Sequence, residues 1–159
     1  MTQRRTIPIL ISLLFALVLA VVSALSAPQP APAVTGPATI RVIAEQLESA
    51  KVDLGRSGQS PGDMELATSL VYNMRVTPKS IGRFELACTF VRGESRICDG
   101  TLHLPKGDIV LGGSMRFRSL YELAVLGGTG LYDNARGTIT VTRLDTGPTR
   151  DLLLIRLLG

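Results

Sequence analysis

A chain of 159 residues, 45% of them hydrophobic, is sized for one domain around one ordinary core. Its formal net charge is +4; without Arg4 and Arg5, which sit in a leader-like segment, 15 basic and 13 acidic residues leave +2. Those charges are scattered singly, which argues against nucleic acid as a partner, and a single histidine beside two cysteines argues against a metal centre.

The N-terminus reads as an export signal. Arg4 and Arg5 precede an apolar run from Ile7 to Leu25, and small residues follow. Residues 1–27 are expected to be a signal peptide, with Ala31-Pro-Ala33 as a later cleavage pattern. The other reading is an uncleaved anchor, because the run is near the lower limit of roughly 17 to 25 residues for crossing a bilayer. Either way the remainder lies outside the cytoplasm, secreted or in the cell envelope, with a membrane contact only through an uncleaved signal. Residues 28–37 are too rich in proline to be more than a linker. A domain over 38–159 remains.

Thr39 to Lys51 is ambiguous. Ile40, Ile43, Ala44 and Leu47 have helical spacing, while Thr39-Ile-Arg-Val-Ile43 is β-branched and suits a strand. Strand and turn signals follow. Met64 to Met74 alternates, with Tyr72 sharing a face with Leu66, Leu70 and Met74. Arg83 to Val91 and Arg96 to Leu104 form a hairpin. Pairing Cys88 with Cys98 keeps Phe84, Leu86, Gly100 and Leu102 on the cysteine face. A disulfide there contributes on the order of 2 to 3 kcal/mol and suits an oxidising compartment. Pro105-Lys-Gly-Asp108 is a turn, and the next run places Ile109, Leu111, Met115 and Phe117 on one face. Leu120 to Leu126 carries Glu122 on the face of Leu120, Ala124 and Leu126. It ends in a corner with Gly127, Gly128, Gly130 and Tyr132 before Gly137 opens another strand. Asp145-Thr-Gly-Pro148 turns the chain into a last run, Arg150 to Leu157, that is apolar on both faces.

With the ambiguous segment counted, eight short strands separated by turns indicate an all-β barrel or sandwich, and eight antiparallel strands close naturally. Two motif matches fail on context. Gly58-Gln-Ser-Pro-Gly62 has the spacing of a nucleophile elbow, but Pro61 follows the serine and no helix follows. Gly128-Thr-Gly130 has Asp133 where a dinucleotide loop needs a third glycine, and a strand follows. His103, beside Thr101 on the strand face away from Leu102, reads as solvent-facing.

Val52-Asp-Leu-Gly55, Ser60-Pro-Gly-Asp63, Cys88-Thr89, Cys98-Asp-Gly-Thr101, Leu104-Pro-Lys-Gly107 and Leu123 to Gly130, with Tyr132, Ala135, Arg136 and Gly137, carry a resemblance. They are similar to the dirigent-like group of secreted bacterial proteins with an allene oxide cyclase-type barrel. The resemblance covers roughly Val52 to Thr142, and the glycine corner is its most specific part. It implies an eight-stranded, calycin-like antiparallel barrel whose first strand is the ambiguous segment. It further implies a homotrimer, and an apolar small molecule whose ring closure or coupling is steered by holding one conformation.

The expected candidates follow from which polar residues enter an apolar barrel. Glu122 and Tyr72 are weak catalytic candidates: an inward Glu122 would be desolvated, its pKa raised, and able to act as a general acid, whereas an outward one would pair at the surface. Tyr72, Met115, Phe117 and Tyr132 are the expected ligand-binding residues. No metal or nucleotide cofactor is expected. Whether the barrel is an isomerase-like enzyme stays open against two alternatives, a non-catalytic binder and an envelope structural protein with a side-chain-filled interior.

Overall fold

The computed structural model describes residues 36–158, so the signal segment and all but the end of the linker lie outside the described residues. Eight strands follow one another: β1 (Ala38–Val52), β2 (Met64–Tyr72), β3 (Gly82–Arg92), β4 (Ser95–Leu104), β5 (Gly107–Met115), β6 (Leu120–Gly128), β7 (Arg136–Thr146) and β8 (Thr149–Leu158). Each pairs antiparallel with the next, and β8 pairs back with β1 to close the barrel. Closure leaves no sheet edge open.

β1 resolves the ambiguous segment as a strand. It is held on both sides, Val42 opposite Leu153 of β8 and Ala44 opposite Val71 of β2. A bulge between Gln46 and Glu48 interrupts the two-residue period, and Leu47 is left exposed. That break is why helical spacing fits the sequence equally well.

Cross-strand partners share a face, so the register fixes what points inward. The ladder Phe84–Leu102–Ile109, Leu86–Gly100–Leu111 and Cys88–Cys98 runs along the interior as the hairpin pattern predicts. Cys88 and Cys98 are disulfide-bonded and buried. Leu102, Ile109, Leu111, Ile139, Val141, Leu153 and Ile155 are inaccessible to solvent and fill the barrel. Filling by side chains is usual for eight strands.

Two expected placements change, those of β2 and of Phe117, and the open question of Glu122 is decided. On β2 the inward positions are Glu65, Ala67, Ser69 and Val71, because Ser69 pairs with Phe84 and Ala67 with Leu86. Leu66, Leu70 and Tyr72 therefore face outward, and Met74 lies past the strand, exposed. On β6 the inward positions are Tyr121, Leu123 and Val125, so Glu122 faces outward. β5 ends at Met115, and Phe117 lies in the β5–β6 connection, 65% exposed.

The glycine corner closes one end. Gly130–Tyr132 is a single 3₁₀ turn between β6 and β7, without the helix a phosphate loop requires. Leu131 N–H donates to the Lys106 carbonyl at 2.8 Å and Thr129 N–H to the Asp108 carbonyl at 2.9 Å, which docks the corner on the β4–β5 turn. Gly130 has φ +59°, and a Cβ there would sit 2.5 Å from the Lys106 carbonyl oxygen. Tyr132 is buried with the core side chains, and removal of its phenol from water raises its pKa.

Gly130→Val should therefore destabilise the domain by about 1 to 3 kcal/mol, the usual cost of a strained backbone position. Tyr132→Ala should cost about 3 kcal/mol through the lost ring. Thermal melts of both variants check this, and ATP or NAD added to the wild type should leave its melting temperature unchanged. Full stability in both variants, or a clear nucleotide shift, would overturn the structural reading of the corner.

Candidate functional site: the polar end of the barrel

Up-and-down strand order places the glycine corner at the same end as the β2–β3 and β4–β5 connections. The opposite end carries the 53–63 loop, the β3–β4 and β7–β8 turns, and the β5–β6 connection. Towards that end the inward positions change character. Beyond the cysteine pair, Phe90 faces Arg96; Val141 pairs with Tyr121, then Arg143 with Asp151. Arg96, Tyr121, Arg143 and Asp151, with Glu65, Ser69 and Gln46, surround a cavity of about 100 Å³ whose apolar walls include Phe84, Leu86 and Met115.

Arg96 is the centre of this group. It is only 3% exposed, and its guanidinium lies 4.8 Å from the centre of the Phe90 ring, a cation–π contact. Its Nη1 donates to Glu65 Oε2 at 2.7 Å, and the same oxygen accepts from Arg118 Nη2 at 2.8 Å. Arg96 Nε is buried without a hydrogen-bond partner. Across the cavity Arg143 engages both carboxylate oxygens of Asp151, the fork geometry that suits guanidinium. Tyr121 stands among these charges. Burial first, and Asp151 second, push its pKa up, with Arg143 and Arg96 offsetting only part of the shift. It is a neutral phenol, able to donate a hydrogen bond at any physiological pH.

The 53–63 loop is fastened beside this end. Asp63 accepts from Leu54 N–H at 2.8 Å and Ser60 N–H at 2.6 Å, and these bonds hold its carboxyl below the ordinary range. Ser60 Oγ contacts the Leu54 carbonyl and Asp63, so the hydroxyl of the elbow-like motif serves the loop. Gly62 N–H and the Phe90 carbonyl, and Phe90 N–H and the Asp63 carbonyl, tie the loop to β3 at 2.8 Å each.

Of the expected site residues, only Met115 lines this cavity. Tyr132 is buried at the opposite end, and Tyr72 is half-buried on the outer face. Phe117 lies in an open surface cleft with Arg92 and Arg116. Glu122 is exposed and accepts from Thr140 Oγ1 at 3.2 Å. His103 is on the outer face, 2.9 Å from Asp108. A larger concavity, about 710 Å³, lies along β1–β5 and is wide open. Its rim residues Leu66, Glu85, Asp99 and Thr101 alternate with the inward set, so it is an outer groove and not part of the interior.

Arg96, Glu65, Tyr121, Arg143 and Asp151 were not among the sequence candidates. One signal was available. The cysteine register that places Cys88 opposite Cys98 also places Phe90 opposite Arg96 two residues on, so an arginine inside the barrel is implied by the disulfide.

The sequence matches no protein-family model and no curated protein. The likeness is found among solved structures. Pyocyanin demethylase is 28% identical at a TM-score of 0.64, over 74% of this chain and 99% of that one. A pterocarpan synthase dirigent protein is 13% identical at 0.62, over 79% and 96%. The Diels-Alderase AbmU from Streptomyces koyangensis is 12% identical at 0.64, over 86% and 73%. The fold is thus a closed eight-stranded antiparallel barrel of the kind seen in these dirigent, Diels-Alderase and demethylase structures.

A buried ion pair loses much of its attraction to desolvation, so losing one partner costs more than losing both. Glu65→Gln should destabilise by about 3 kcal/mol or more, because Arg96 keeps its charge and has almost no solvent. The double variant Glu65→Gln/Arg96→Met should lie within about 1 kcal/mol of wild type. Denaturant titration of the three proteins measures the order; a double variant less stable than Glu65→Gln would overturn it.

Proposed function

We propose that this is an extracytoplasmic barrel that binds an apolar small molecule at its polar end and steers that molecule's cyclisation or coupling by holding one conformation. The observation that carries the reading is the ionisable cluster inside the barrel. Arg96 at 3% exposure, with an unpartnered Nε, is costly to fold, and such groups gather where chemistry or binding requires them. The barrels of a Diels-Alderase and a pterocarpan synthase support the same reading.

On this reading each group has one task. Tyr121 donates a hydrogen bond to a carbonyl or hydroxyl oxygen, and Arg96 and Arg143 favour negative charge developing on it. Phe84, Leu86 and Met115 hold the apolar body. No bond to the protein is needed, since positioning in a shielded site supplies the effect.

A second reading, a non-catalytic envelope protein with a filled interior, is favoured by one observation. The cavity of about 100 Å³ is smaller than the roughly 300 Å³ of ordinary ligand pockets, so most of a ligand would lie at the mouth. The two readings separate on binding. A thermal-shift screen of polycyclic and long-chain apolar compounds should find at least one class that raises the melting temperature of wild type. That class should fail with Ala67→Phe, which fills the cavity from β2. No shift with any compound, or equal shifts in both proteins, would overturn the small-molecule reading in favour of the filled barrel.

Export and assembly belong to the same proposal. The Cys88–Cys98 bond suits an oxidising compartment. Ile97, Leu120, Leu126 and Leu158, each more than half exposed, leave apolar area on the outer wall for neighbouring subunits. The exported protein should have a native mass three times that of a chain cut after Ala27 or Ala33. Light scattering with intact-mass measurement tests both, and a monomer mass at micromolar concentration would overturn the trimer.

A further inference from the structure

The net charge is not spread evenly over the barrel. The eight strands carry nine basic and nine acidic residues. The connections at the polar end (53–63, 93–94, 116–119 and 147–148) hold Arg56, Arg116 and Arg118 against Asp53, Asp63 and Glu94, which also balances. The excess of +2 outside the leader therefore lies in the three connections at the corner end, where Arg75, Lys79 and Lys106 stand against Asp133 alone. All four are exposed, and among the described residues none of the three cations has an ion-pair partner. The three connections are neighbours. The corner is docked on the β4–β5 turn through the Lys106 and Asp108 carbonyls. Gly82, at the foot of the 73–81 loop, has no room for a Cβ against the His103 carbonyl, so that loop stands beside the same turn.

The 73–81 loop also presents apolar surface between its cations. Met74 is 52% exposed and Val76 38%. Arg75 N–H donates to Asn73 Oδ1 at 3.0 Å and Val76 N–H to the Asn73 carbonyl at 2.9 Å, a turn that holds the tip in shape. Val76 has φ +47°, a region strained for a β-branched residue and relaxed for glycine or asparagine. A connection that only joins β2 to β3 has no use for an isopropyl group there.

We propose that the corner end docks on an anionic lipid bilayer, with Arg75, Lys79 and Lys106 over the headgroups and Met74 and Val76 dipping into the interface. Cations beside exposed apolar side chains match a surface that is negative outside and apolar just beneath. A water-soluble polyanion would meet the cations alone and leave Met74 and Val76 without a partner. Position agrees: β1 enters the fold at this end, at Ala38, and the apolar run Ile7 to Leu25 precedes it in sequence. An uncleaved signal is the membrane contact expected from sequence; this one belongs to the folded domain and persists after cleavage. The rival surface is at the polar end, where Phe117 lies between Arg116 and Arg118, but acids balance the cations there and Arg118 is held by Glu65. The proposal is independent of the small-molecule reading, and it leaves the cavity opening away from the bilayer.

Co-sedimentation of the exported protein with vesicles tests it, using phosphatidylcholine alone and with about 30% phosphatidylglycerol. The protein should partition at least about tenfold more strongly onto the anionic vesicles, and about 0.5 M NaCl should release it. A leader left on the chain adds the same binding to every variant, so the variants read the folded domain. Arg75→Gln/Lys79→Gln/Lys106→Gln should lose on the order of 100-fold in affinity, about fivefold for each cation. Should the triple variant not fold, the three single variants each read the fivefold step. Met74→Ser/Val76→Asn keeps the cations, and asparagine tolerates the positive φ, so it should melt no lower than wild type yet bind about tenfold more weakly. Arg116→Gln/Phe117→Ser, at the other end, should bind as wild type. Equal partition onto both vesicle types, partition onto neither, charge variants that bind as wild type, or loss confined to the polar-end variant would each overturn the proposal. Unchanged affinity in Met74→Ser/Val76→Asn would overturn it too, since charge alone would then suffice and any polyanion would serve.

Discussion

Closure is the constraint on which the rest depends. Once β8 pairs with β1, every strand has two neighbours and no residue can change face without moving a whole ladder. An eight-stranded barrel is also narrow, so one layer of large side chains is enough to fill it. Leu102, Ile109, Ile139 and Ile155 do so over one part of the interior, and the Phe84–Leu102–Ile109 ladder shows how tightly the layers are set. The cavity at the other end exists because the inward positions there are Ala67, Ser69 and a few long polar side chains that stop short of meeting.

Much of this architecture was legible in the sequence. The last seven strands, the corner built on Gly128 and Gly130, and the face shared by Phe84, Leu86, Cys88, Gly100 and Leu102 follow from spacing and turn chemistry, whereas β1 is ambiguous by periodicity and is implied only by the family resemblance. The polar end was not, for a definite physical reason. Reading a strand by its apolar face assumes that the inside is the apolar side. On β2 the inside carries Glu65 and Ser69 while Leu66 and Leu70 face out, so the pattern is inverted where the interior becomes polar. On β6 both faces carry large apolar side chains, Leu123 and Val125 inward and Leu120 and Leu126 outward beside Glu122, so apolarity alone does not pick the inner face. Distant partners are equally hidden: Glu65 and Arg96 are 31 residues apart, and nothing local to either one announces the other.

The polar cluster and the apolar filling depend on each other. Charges are strong only where water is scarce, and the packed interior beyond the Cys88–Cys98 bond keeps water from passing through. The cation–π contact with Phe90 and the fork to Asp151 then fix two guanidinium planes from opposite walls. Neither plane can turn without abandoning a charged partner. Groups held this rigidly have little room to reorganise.

The plug formed by Tyr132 and the 3₁₀ turn has a kinetic side. With that end stoppered and the middle of the barrel filled by side chains, the cavity is a blind well facing the end that carries the 53–63 loop. On the small-molecule reading proposed above, whatever enters leaves by the path it came, so exchange is single-file and a departing molecule competes directly with the next one in.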